Sequence, residues 1–277
     1  MVVKNYIPYP GLQCFIKNIA LTHYQLDKSS PVPVNPFPPQ PYHTLYFYPY
    51  DKITSYSYSD GSTSKLAASS IVGPQLNRVD LQMDYNILVI IVNFKPCALY
   101  RLLKIPMHEL IDTPLDAAQF LDKELETINE QLSLSKNYDE MVSLIQKYLL
   151  KKVDRLKDAL PVDLALQSLE QNDRIINIDR LANLSCVSIR QLERQFNERI
   201  GMPPKLYFRL ERFSKAWNLR ETYPQISWST IAHQCGYADQ MHMIRDFKEF
   251  AGVTPGFLQT ELEKTPLRLQ RDGFDIL

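Results

Sequence analysis

The sequence predicts an α+β protein in two parts. Residues 1–155 read as a β-rich, barrel-like domain with flanking helices, and residues 160–265 as an all-α domain built from two helix-turn-helix units. Two observations carry this. Residues 6–94 are rich in Tyr, Phe, Val, Ile, Thr and Ser and are cut into short runs by turn signals, after which the apolar period becomes helical. Near the C-terminus, one segment also occurs twice, about fifty residues apart, each time as two short helices around a tight turn. Two copies separated by a long helix are too few for a stacked solenoid.

In chain order, residues 31–41 hold six prolines and predict an extended surface loop, because proline cannot donate to a ladder. Residues 53–58 alternate as a strand, and Ser59-Asp60-Gly61-Ser62 and Gly73-Pro74 are turn signals. Residues 87–94 form one apolar run that reads as a buried strand, stopped by Lys95-Pro96. Leu121, Leu125, Ile128 and Leu132 then make one helical stripe. Met141, Leu144, Ile145, Tyr148 and Leu149 make another, with Asn137 as a cap. Two such helices can pack on their own barrel or pair with a second subunit.

The first copy of the repeat runs from Leu181-Ala182 through a turn at Leu184 to Val187, then Ser188, Leu192, Arg194 and Phe196, and closes with Gly201-Met202-Pro203-Pro204. The second runs from Ile231-Ala232 through Cys235-Gly236-Tyr237, then Asp239, Met243, Arg245 and Phe247, and closes with Gly252-Val253-Thr254-Pro255. Ser188 and Asp239 are good N-caps and start the second helix of each unit. Behind Ser188, the residues Ile189, Leu192, Phe196 and Ile200 share one stripe and are expected in the core, so Arg190 and Arg194 point away from it. In the second copy Met243, Phe247 and Phe250 take the core face, which turns Gln240, Met241, Ile244, Arg245 and Lys248 outward. An outward Met and Ile gain nothing from water, whereas a DNA major groove rewards apolar contact with thymine methyls and pairs arginine with guanine.

Residues 204–220 read as one linking helix with Leu206, Leu210, Phe213 and Trp217 inside. Its other face carries Lys205, Arg209, Arg212, Lys215 and Arg220. A helix of this length spans about 25 Å. With the turns added, the two reading helices can sit about 34 to 36 Å apart, one turn of duplex. Between Ser188 and Arg220 there are 8 basic residues against 3 acidic, the local excess that phosphate binding needs. Arg209, Arg212 and Lys215 are candidate backbone contacts, as are Lys248 and His242, the latter equally a packing residue. Leu164, Leu181, Leu192, Phe196, Leu210, Trp217, Trp228, Ile231 and Phe247 are the expected core of a C-terminal domain that folds alone.

The run Ser188, Arg190, Leu192, Arg194, Phe196 resembles the S-x-R-x-L-x-R-x-F pattern of the AraC/XylS family of bacterial transcription regulators. Cys235-Gly236-Tyr237-Ala238-Asp239-Gln240, His242, Arg245, Phe247-Lys248 and Gly252-Val253-Thr254-Pro255 are similar to that family's most diagnostic stretch. The resemblance covers residues 160–263. Met243 replaces a frequent phenylalanine, and Asp246 is acidic beside the expected phosphate. The resemblance implies base-facing roles for Arg190, Glu193 and Arg194 in the first copy and for Gln240, Met241, Ile244 and Arg245 in the second. Taken singly, each of these is as readily a solvated surface residue. It also implies an N-terminal β-barrel, cupin-like in class, that binds an effector, with adjoining helices that form a dimer. Residues 88–153 are similar to the N-terminal domain of one subgroup of the family.

The whole chain is neutral, with 31 basic and 31 acidic residues in 277, which argues against a generally sticky nucleic-acid binder. No apolar run is long enough to cross a bilayer and no signal pattern opens the chain, so a cytoplasmic protein is expected. Cys14, Cys97, Cys186 and Cys235 are scattered, with Cys186 and Cys235 expected to pack around the turns. The five histidines, His23, His43, His108, His233 and His242, show no metal spacing, and His43, which could line a pocket beside the aromatic residues 45–48, reads more readily as a surface group. No catalytic, metal or cofactor site is expected, and the chain is not read as an enzyme. The reading is a sequence-specific DNA-binding regulator controlled by a small-molecule effector. Its alternatives are control by protein partners alone and an enzyme domain fused to a DNA-binding module. Candidate partners are double-stranded DNA, a small-molecule effector, RNA polymerase and a second copy of the chain.

Overall fold

The computed structural model describes residues 1–29, 31–32, 34–170, 178–265, 267–268 and 270. Pro33 of the proline-rich stretch and residues 171–177 of the C-terminal segment lie outside them.

The N-terminal part is two antiparallel sheets. One has the order β1 (Val2–Tyr6), β2 (Ile16–Gln25), β9 (Asn86–Phe94), β4 (Thr44–Phe47), β7 (Ser69–Val72), β10 (Pro114–Asp116). The other has the order β3 (Val34–Phe37), β8 (Val79–Met83), β5 (Ile53–Ser57), β6 (Thr63–Lys65). The apolar run of β9 is explained by burial on both faces. Ile87, Val89 and Ile91 face the space between the sheets together with Ala20, Tyr24, Phe37, Tyr46 and Tyr48. Leu88, Ile90 and Val92 face outward into a second core with Ile19, Leu21, Leu45 and Phe47.

That outer core is closed by the helices. After α1 (Ala98–Leu103) and α2 (Ala117–Phe120) come α3 (Glu124–Leu134) and α4 (Tyr138–Leu150), whose stripe residues Leu125, Ile128, Leu132, Met141, Ile145 and Leu149 are buried against it. Asn137 caps α4 by accepting from the Asp139 and Glu140 amides. Of the two placements left open by the sequence, the stripes therefore take the one on their own chain. The proline-rich stretch departs from expectation. Residues 34–37 form edge strand β3, paired with β8 through Pro36↔Asp80, and residues 35–41 are buried. An edge strand leaves one side of the backbone without a ladder partner, so Pro36 is tolerated there.

The C-terminal part consists of α5 (Pro161–Glu170), α6 (Ile178–Leu184), α7 (Ile189–Arg199), α8 (Pro204–Thr222), α9 (Trp228–Gln234), α10 (Gln240–Ala251) and α11 (Pro255–Glu263). Leu181, Leu192, Phe196, Leu210, Phe213, Trp217, Ile231, Met243 and Phe247 make one continuous core. Phe213 and Phe247 meet edge to face at 4.6 Å. Leu164 is not part of it. It is 58% exposed on α5, whose inner face is supplied by Val162, Ala165 and Leu166.

The two parts are joined by more than the chain. The neutral His43 ring lies 3.1 Å from the Ile200 carbonyl, and Arg78 of the barrel reaches Glu261 of α11 at 2.7 Å. Beyond α11 the chain returns to the barrel: Leu267 is fully buried in the inter-sheet core, and Gln270 donates to the Pro38 carbonyl at 2.7 Å.

Candidate nucleic-acid interface

Each helix-turn-helix unit is set by local chemistry. In the first, the Val187 amide bonds to the Ala182 carbonyl and closes the turn; in the second, the Tyr237 amide bonds to the Ala232 carbonyl. Ser188 and Gln191 form a reciprocal capping box at the start of α7, and Asp239 accepts from the His242 amide at the start of α10. Both helices close at a left-handed glycine, Gly201 with φ +103° and Gly252 with φ +73°.

Leu192, Phe196 and Ile200 are buried, but Ile189 is not: it stands 48% exposed as the first residue of α7. The first turn lies beyond the edge of the core, so the stripe starts at Leu192. Arg190, Glu193 and Arg194 are exposed beside it. On α10, Gln240, Met241 and Arg245 are exposed, Met241 at 58%, and Ile244 is half-buried. Each reading helix thus presents an exposed apolar side chain in its first turn and an arginine one to two turns on.

The charges of the linking helix are placed differently from the surface row that the sequence suggests. Arg209 pairs with Asp246 at 2.7 Å and with Glu249 at 2.6 Å, and these carboxylates raise its guanidinium above its ordinary range. Arg212 reaches Asp246 at 3.4 Å and stacks 4.4 Å over the Tyr237 ring. Arg220 lies over Trp228 and donates to Gln259, and Arg199 is buried in an ion pair with Asp163. Asp246 is therefore the internal counter-charge that ties α10 to α8, not an acid facing phosphate. The exposed cations of α7, α8 and α10 are Arg190, Arg194, Lys205, Lys215, Arg245 and Lys248. His242 is half-buried, edge-on to Tyr237 at 5.3 Å.

The barrel grips both units. A side chain at Gly201 would meet Pro74 and the Met107 carbonyl within 2.9 Å, and one at Gly252 would meet the Tyr58 ring at 2.7 Å. The Tyr100 hydroxyl bonds to Glu198 of α7, and Arg199 lies 4.6 Å over the same ring. Tyr58 in turn stacks under Arg78 at 4.1 Å. Sequence spacing carries no signal for these long-range pairs. His43, expected on the surface, is enclosed in this seam, and burial lowers its pKa to about 4. Cys97 is buried there too, with its thiol raised well above its ordinary value by desolvation. Cys235 packs beside its turn as expected, whereas Cys186 is exposed, at φ +53°.

Between the two sheets lies a cavity with an open mouth. Its body is apolar, with Phe37, Leu81, Val89 and Ile91, and Ser55, Ser57, Ser62 and Ser64 of the β5–β6 hairpin line one side. Tyr46 and Tyr48 stack within it at 6.0 Å, and burial raises both phenols, which keeps them neutral. No group of three potential metal ligands exists among the described residues, and no described helix is long and apolar enough to cross a membrane.

Residues 181–261 match the profile of a family described as helix-turn-helix domain, and residues 4–116 match one described as domain of unknown function (DUF6597). The HTH-type transcriptional activator RhaS of Escherichia coli (strain UTI89 / UPEC) is 26% identical over 177 residues, covering 61% of this chain and 60% of RhaS. The F1 operon positive regulatory protein of Yersinia pestis is 34% identical over 98 residues, 35% of this chain and 32% of that one. The chain thus matches less than two thirds of the length of these curated relatives. Among solved structures, ToxT from Vibrio cholerae O395 has a TM-score of 0.50 at 15% identity, covering 89% of this chain and 99% of ToxT. The unsaturated fatty acid bound ToxT from strain SCE256 has a TM-score of 0.51 at 14% identity, covering 90% and 98%. These structural likenesses show a shared fold.

Proposed function

We propose that this chain, whose C-terminal region is a helix-turn-helix domain of the AraC type, is a DNA-binding transcription regulator whose barrel takes a small-molecule effector. The observation that carries the DNA reading is the pair of capped helices, each anchored by a buried stripe and presenting exposed side chains from equivalent turns. Arg190, Glu193 and Arg194 read bases from α7, and Gln240, Met241, Ile244 and Arg245 from α10. Arginine pairs bidentately with guanine, while Met241 and Ile244 suit thymine methyls. Lys215, Lys248 and His242 lie toward the backbone. Arg209 and Arg212, already matched by Asp246, act by holding α10 in place. RhaS and the F1 operon protein are regulators by name, which supports a regulator over an enzyme.

Control by a small molecule, rather than by protein partners alone, is supported by where the cavity lies. Its lining residues Ser57, Gln75 and Val79 are chain neighbours of Tyr58, Pro74 and Arg78, the residues that grip Gly252, Gly201 and Glu261. An occupant that moves this wall moves both reading helices. ToxT, which shares this fold, has been solved with an unsaturated fatty acid bound, which supports a small-molecule ligand here. A binding titration on selected and random duplexes tests the DNA reading. The selected site should bind at least about a thousandfold tighter, and Lys248→Ala should lower the salt slope by roughly one unit without changing the preferred sequence. Equal affinity for both duplexes contradicts it.

A further inference from the structure

We propose that the barrel cavity takes an uncharged, largely apolar molecule, and that it discriminates against carboxylates. This deepens the effector reading above and rests on it for its regulatory meaning. Among the described residues the lining contains no Lys, Arg or His. Its one charged member among the described residues is Asp112, whose carboxylate already accepts from the Leu76 amide at 2.7 Å and from the Asn77 amide and side chain at 3.1 and 2.9 Å. Arg78, next in the chain to the lining residue Val79, has its guanidinium in ion pairs with Asp80 and Glu261. An anion entering this space loses its hydration and meets apolar surface, neutral hydroxyls, the Gln75 amide and a further negative charge, with no cation among the described lining residues to offset that loss.

The test uses three ten-carbon probes on the full chain at neutral pH: 1-decanol, decanoate and decylammonium. Calorimetry should show saturable 1:1 binding of decanol, with each charged probe at least about tenfold weaker. Nuclear Overhauser contacts from decanol to the Val89 and Ile91 methyls should place it between the sheets. Ser55→Phe, which fills the cavity, should abolish binding, and the contacts locate the site even if that variant is unstable. Equal or tighter binding by either charged probe overturns the proposal. So does no decanol binding by folded protein, or decanol bound without those contacts. Operator affinity with each bound probe separates this claim from the effector reading. Decanol that binds as stated but leaves DNA affinity unchanged supports the ligand class and refutes the effector role. Decanoate that binds tighter and shifts DNA affinity does the reverse.

Discussion

The two helix-turn-helix units share a scaffold and differ in almost everything that faces outward. Leu192 and Met243, Phe196 and Phe247, and Gly201 and Gly252 stand at equivalent places and are buried or turned alike. At the reading positions Arg190 faces Met241 in the comparison, and Glu193 faces Ile244, with only Arg194 and Arg245 in common. Beyond the exposed Ile189 the first unit offers hydrogen bonds and charge, whereas the second offers apolar contact, the Gln240 amide and one arginine. Their fastening differs too. Glu198, near the end of α7, is bonded to Tyr100 of the barrel, whereas the equivalent Glu249 is bonded to Arg209 of the linking helix. Duplication here conserves what folds the motif and leaves free what it reads and what holds it.

The largest expected effect tests the shared half of that comparison. Phe196→Ala and Phe247→Ala should each cost about 3 to 5 kcal/mol in denaturant unfolding, since both rings are fully buried. A small cost at one of them would mean that the two cores are not equivalent. Next comes a difference that belongs to the first unit. His43 contacts Ile200 at the end of α7, and its folded-state pKa of about 4 lies below its ordinary 6.5. A depressed histidine contributes stability fully above its unfolded pKa and loses it as pH falls through the window between 6.5 and 4. The loss should reach roughly 3 kcal/mol, and His43→Asn should flatten that part of the pH–stability curve.

How far this was legible in the sequence depends on the range of the interaction. Caps, turns and stripes are local, so Ser188, Asp239, Asn137 and the buried strand at residues 87–94 could be read directly. Ile189 fits a helical stripe but lies past the edge of the core, which periodicity cannot see, and Leu164, an expected core residue, stands on the outer face of α5. The charges of α8 misled for a related reason. Their partners Asp246 and Glu249 are 34 to 40 residues away in sequence, so a count of basic residues could not show that Arg209 and Arg212 are already paired. The seam of His43, Tyr58, Arg78 and Tyr100 left no pattern at all, and neither did the insertion of Leu267 into the barrel.

Two smaller effects sharpen the differences. Arg194→Ala should cost about 1 to 3 kcal/mol on the selected site and relax one base position. Met241→Ala should cost about 1 kcal/mol, and replacing the contacted thymine by uracil should cost the wild type a similar amount but the variant almost nothing. The smallest concerns the turns. The first unit places Cys186 at φ +53° where the second has Gly236 at φ +74°. A non-glycine residue there is strained, so Cys186→Gly should stabilise by up to about 1 kcal/mol, and Gly236→Ala should destabilise by at least as much.

The central claim is that one chain reads DNA with two chemically different helices. It is tested most directly by selecting bound duplexes from a random pool with three proteins: the wild type, Arg194→Ala and Arg245→Ala. The account predicts two enriched blocks about one helical turn apart for the wild type, with each substitution relaxing one block and leaving the other intact. A single block, or both substitutions degrading the same block, would contradict it.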